Sequence, residues 1–79
     1  MEYEQLIEKV MRIIENMPQQ TATVLKKCFI ERKKYQEAGD ELGISINTVR
    51  WHITKAISIL REKMSDIEMV LLYAYFLKK

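Results

Sequence analysis

Apolar side chains return every three or four positions through the first part of the chain, at Leu6, Ile7, Val10, Ile13 and Ile14. That interval matches a helix with one buried face, so the spacing predicts a helix over residues 3–16. "NMP", Asn16 to Pro18, reads as a stop and a restart, because the fixed φ of proline suits a first helical turn. The second helix is expected to reach about Ile30, with Ala22, Leu25, Cys28 and Phe29 turned inward. "ERKK" then makes a polar, basic link.

A short helix fits Tyr35 to Leu42, and Gly43 follows where a helix ends in a left-handed cap. Ile44 suits a buried turn position, and Ser45 is an N-cap for a long helix reaching about Met64. "SD", Ser65 and Asp66, punctuates the chain before an apolar helix over Ile67 to Leu77. No run alternates as a strand would. The fold class is therefore all-α, a small bundle of four to five helices. Two units are expected, residues 1–66 and an apolar C-terminal helix, 67–79, packed on the first unit or on a partner.

The stretch around Gly43 has the form of a helix-turn-helix: a short helix, a tight Gly-containing turn, and a second helix entered at an N-cap. Gly39 falls where the two helices must approach closely, which is a reason to accept the roughly 1 kcal/mol that a mid-helix glycine costs. Ala38, Leu42, Ile44, Val49 and Ile53 would close the interior. At about 100° per residue, Val49, Ile53, Ala56, Ile57, Leu60 and Met64 share one side of the long helix. Asn47, Trp51, Thr54, Lys55, Ser58 and Glu62 share the other, with Arg50 and His52 on opposite flanks. The chain's one tryptophan thus points away from the core.

In such units the first turns of the second helix enter the DNA major groove. Here those turns offer Asn47, Thr48, Arg50, Trp51, Thr54 and Lys55 as the candidate DNA-binding set. Arg50 has the fork to reach guanine O6 and N7, a contact worth about 1–3 kcal/mol of discrimination, or to hold a phosphate. Asn47 can pair with an adenine edge or support the cap, and Trp51 can pack on thymine methyls or a sugar edge. Ser45 and Thr48 suit phosphates beside a helix N-terminus. Lys33, Lys34, Tyr35 and Ser45 are candidates to hold the DNA backbone. The competing placements are ordinary ones. A polar outer face is what any amphipathic helix shows, Trp51 can fold over the Lys55 stem or under the C-terminal helix, and His52 fills the edge of the core.

Charge supports the DNA reading modestly. The net charge over 79 residues is +2, but it is uneven. Residues 1–25 carry Glu2, Glu4, Glu8 and Glu15 against Lys9 and Arg12, a net −2. Residues 26–63 carry nine Lys/Arg against five Asp/Glu, a net +4, and the remainder balances. So small an excess neutralises few phosphates, and isolated affinity is expected to be weak and salt-sensitive.

Other classes fit poorly. One cysteine, Cys28, permits no internal disulfide, and one His with one Cys gives no structural metal site. No nucleophile–base pair or phosphate-cradling glycine loop is present, so neither catalysis nor a cofactor is expected. "MVLLYAYFL", Met69 to Leu77, is about half of the roughly 20 residues a membrane span needs. The acidic, amphipathic start is unlike a signal peptide, which points to the cytoplasm.

From Met17 to Lys63 the chain resembles region 4 of bacterial sigma-70-type factors, especially the extracytoplasmic-function group. The resemblance rests on "MPQQTATVLKKCFI", "YQEAGDELGIS" and "INTVRWHITKAISILR", in that order and spacing. It departs at Gly39, where Ala is commoner, and at Trp51, where a smaller or polar residue is usual. The resemblance implies binding of the −35 element in double-stranded promoter DNA through the long helix, at Asn47, Arg50, Trp51, Thr54 and Lys55. It also implies docking on the β-subunit flap of RNA polymerase, and an anti-sigma factor is a further candidate partner. The promoter-melting half of such a factor has no counterpart in these residues, so an excised C-terminal domain or a stand-alone relative is expected. Two alternatives stay open. "TVRWHITKA" is also similar to the output domain of a two-component or quorum-sensing regulator, and the apolar tail suits a protein-interaction module binding polymerase or an anti-sigma factor.

Overall fold

Tyr3–Glu15 forms helix α1 in the computed structural model, which describes residues 3–77. The outer ends of the two expected units, residues 1–2 and 78–79, lie outside that range. Leu6, Val10, Ile13 and Ile14 of α1 are buried, so the predicted stripe is the buried face. The helix closes through Asn16, whose side-chain amide donates to the Arg12 carbonyl at 2.9 Å.

Pro18 stands as the N-cap of α2, Gln19–Leu25, one position ahead of the expected first turn. Its extended ψ of 141° turns the chain while its carbonyl accepts from the Ala22 N–H at 2.9 Å. The same helical run continues as a π-helical turn over Lys26–Ile30, wider than the α-helix expected there. It ends at Arg32, which holds a left-handed φ of 62°. Thr21, Val24 and Leu25 are buried on this helix, with Cys28 on the π turn.

Helices α3, Tyr35–Leu42, and α4, Ile46–Lys63, follow with the boundaries the caps predict. Helix α5, Asp66–Leu77, starts one residue earlier than the apolar run. Its start is a reciprocal cap. The Glu68 N–H donates to Ser65 Oγ at 3.2 Å, and the Ser65 N–H donates to the Glu68 carboxylate at 2.8 Å.

All five α-helices and the π turn meet in one apolar core, and no strand occurs among the described residues. Helix α2 lies along α4, α3 packs on α4, and α5 lies against α1 and α4. Met69 and Leu72 seat α5, while Lys9 holds both oxygens of Glu68, at 3.0 and 2.9 Å. The rings of Tyr3 and Tyr75 meet at 5.3 Å between centroids. Among the described residues no helix is long and apolar enough to cross a membrane.

Candidate nucleic-acid interface

Each joint of the α3–α4 unit has an identifiable cause. Glu37 opens α3 by accepting the Lys34 N–H at 2.8 Å. Gly43 closes it at φ 71° and ψ 32°, a left-handed cap that glycine adopts without strain. The Ile44 N–H then returns to the Gly39 carbonyl at 2.9 Å, which pins the turn onto the last turn of α3. A Cβ on Gly39 would lie 2.8 Å from the Ile44 carbonyl oxygen and 3.4 Å from Val49, so the approach anticipated at this glycine is present. Ala38, Val49 and Ile53 are buried between the helices, and Leu42 and Ile44 pack against them.

Ser45 caps α4 by accepting the Thr48 N–H at 3.1 Å, and the two hydroxyls lie 3.0 Å apart. Both candidate phosphate-binding hydroxyls therefore already hydrogen-bond each other. The first turn of α4 contains no acidic residue, so nothing offsets the partial positive charge of its free N–H groups. An anion is favoured there.

The core face of α4 carries Val49, Ile53, Ala56 and Leu60. Opposite, Asn47, Arg50, Trp51, Thr54 and Lys55 are all exposed, and Thr48 is half-buried. Five of the six groove candidates thus share one open face. Trp51 keeps 58% of its surface exposed and does not lie under α5. Two neighbours steady its ring: Lys55 Nζ stands 5.9 Å from the centroid, and His52 meets it edge-on at 5.0 Å. His52 is itself fixed from behind, with Nδ1 2.9 Å from the hydroxyl of buried Thr21.

The candidate backbone-holding residues differ more among themselves. Lys34 is exposed at the start of α3. Tyr35 is half-buried against the core, and burial raises its phenol pKa while the nearby Arg50 charge opposes that rise. Lys33 is held by Glu41 at 2.9 Å, and the other oxygen of Glu41 takes Lys27 at 2.8 Å. Hydrogen bonds to Glu41 raise both lysine pKa values, and the same bonds lower that of Glu41.

Sequence patterning did not single out Lys27, Glu41 or Thr21. Lys27 and Glu41 meet only once the π turn and α3 are packed, so no local signal marks them. Thr21 lies one turn from Leu25, and its place on the apolar side was a signal that could have been read. Cys28 is buried, and desolvation raises its thiol pKa, which disfavours the reactive thiolate.

The arrangement can present a rigid, cationic and aromatic helix face to a polyanion. A family model described as "Sigma-70, region 4" matches residues 7–60. No curated protein and no solved structure matches the chain.

Proposed function

Because the chain belongs to the sigma-70 region 4 family, whose members bind promoter DNA in concert with RNA polymerase, we propose that α4 reads the −35 promoter element as part of an extracytoplasmic-function-type sigma factor. The observation that carries this reading is the open face of α4, where Asn47, Arg50, Trp51, Thr54 and Lys55 stand on a helix fixed by its caps and by Gly39. Arg50 supplies the bidentate fork for a guanine edge, Asn47 and Thr54 supply short polar contacts, and Lys55 supplies a phosphate contact or steadies Trp51. Trp51 supplies a flat apolar surface for a thymine methyl or a sugar edge. Lys34 and the N-terminal N–H groups of α4, with Ser45 and Thr48 shaping that terminus, hold the DNA backbone. Lys33 joins them by leaving Glu41.

A second role rests on α5. Ile67, Val70 and Tyr73 are exposed large apolar residues on this helix, a combination that marks protein contact surfaces. We assign residues 67–79 to contact with the polymerase β flap or an anti-sigma factor. Weak intrinsic DNA affinity is consistent with such help from polymerase.

The reading is tested in reconstituted holoenzyme on promoter DNA. Arg50→Ala is expected to weaken binding about tenfold and to relax base preference at one position. Lys55→Ala is expected to weaken binding evenly across sequences. Trp51→Ala is expected to lower affinity while leaving the melting temperature within about 2 °C, because the ring is mostly exposed. Unchanged binding and transcription in all three would overturn the assignment of the groove face.

A further inference from the structure

A cavity of about 220 Å³ lies in the seam between α5 and the rest of the bundle. Val10, Ile14, Leu60 and Phe29 form its floor, and Met69 and Leu72 form its roof. Exposed Ile30 and Tyr73 also line it and mark its mouth. No polar surface faces the interior.

Each of these features bears on what can enter. Water gains little in a space without hydrogen-bond partners, and wholly apolar cavities of about 150 Å³ stay dry and take up benzene. The volume here accommodates one six-membered ring with a short alkyl substituent. The roof residues lie beyond residue 60, where the family match ends, so the site is a property of this chain's own tail. Among the described residues α5 is held by the Lys9–Glu68 pair, the Tyr3–Tyr75 ring contact and the burial of Met69 and Leu72, and a ligand in the seam would add contacts to both sides at once.

We propose that this seam is a binding site for a small apolar molecule, one ring or a short branched hydrocarbon, whose binding ties α5 to the bundle. The proposal is independent of the DNA reading, because none of the cavity residues lies on the open face of α4.

Toluene is the probe, added to the 79-residue chain and followed by thermal melting and by NMR of side-chain methyls. At several times its dissociation constant, toluene is expected to raise the melting temperature by at least about 3 °C. It should shift the methyls of Ile14, Leu60 and Leu72. Phenol must bury a hydroxyl without a partner and is expected to raise it less. Val10→Phe, which fills the floor, is expected to abolish the toluene effect; Leu72→Phe serves the same purpose from the roof should Val10→Phe not fold. The proposal is overturned by any of three results: no stabilisation by toluene, equal stabilisation by phenol, or shifts confined to exposed residues such as Trp51 and Ile67.

Discussion

The hydroxyl of Thr21 and Nδ1 of His52 lie 2.9 Å apart, which joins α2 to α4 at the residue beside Trp51. Thr21 is only 1% exposed, so its hydroxyl depends on this partner, and the bond fixes the rotation of α4 against α2. Thr21→Val keeps the shape and removes the bond. We expect a loss of about 1 kcal/mol, read as a fall of about 4–8 °C in melting temperature. A variant as stable as the parent would show that this bond contributes nothing to the packing of α4.

The two glycines of the helix-turn-helix should respond to alanine for different reasons. At Gly39 the new Cβ meets the Ile44 backbone carbonyl at 2.8 Å, which no rotamer change can relieve. A helical alanine returns up to about 1 kcal/mol of propensity, but overpacking costs about 1–3 kcal/mol, so net destabilisation is expected. At Gly43 nothing stands within 4 Å of the added Cβ, and the cost is the left-handed backbone alone, about 1 kcal/mol. Denaturant melts of both variants check this, and trimming Val49 should not rescue Gly39→Ala because the obstacle is main chain.

Arg32 pays the same conformational cost in the native chain, at φ 62°. Arg32→Gly is expected to stabilise the fold by up to about 1 kcal/mol, since the exposed side chain makes no hydrogen bond or ion pair among the described residues to offset that strain. A chemical melt gives the sign directly.

The helix-turn-helix was the most legible part of the chain, because its start, stop and close approach are each written in local chemistry. Ser45, Gly43 and Gly39 are position-specific, and the buried face of α4 follows from periodicity. The π turn at Lys26–Ile30 was not legible, since the sequence there patterns like ordinary helix and the widening reflects how the segment meets its neighbours. The seat of α5 was hidden for a related reason. Lys9 and Glu68 are 59 positions apart, and only the folded chain brings them together. At the site, exposure of Arg50, Trp51 and Lys55 could be read from the helical wheel, whereas the capture of Lys33 by Glu41 could not.

Acid should loosen the seat of α5. Glu68 titrates below its ordinary value, chiefly because the Ser65 N–H and then Lys9 donate to its ionised form. A depressed carboxylate pKa stabilises the fold above the unfolded value, near 4.3, and that contribution is lost as pH falls through the lower folded value. Glu68→Gln keeps a capping side chain and removes the charge. Its melting temperature is expected to lie below the parent's at pH 7, with the gap closing in the range below about pH 4. A gap independent of pH would assign the effect to packing instead.

Glu41, clasped between Lys27 and Lys33, changes what those two cations are worth to a polyanion. A phosphate that takes one of the lysines breaks one of the two contacts and leaves Glu41 neutralised by the other, so only a strand that took both would free the carboxylate to recruit a cation from solution. Ion release from that edge is thereby limited to one lysine's worth, about half of what two unpaired lysines would give. The dependence of DNA affinity on ionic strength therefore belongs to Lys34, Arg50, Lys55 and one lysine of this pair, while for the other Glu41 acts as a resident rival that an incoming strand must displace.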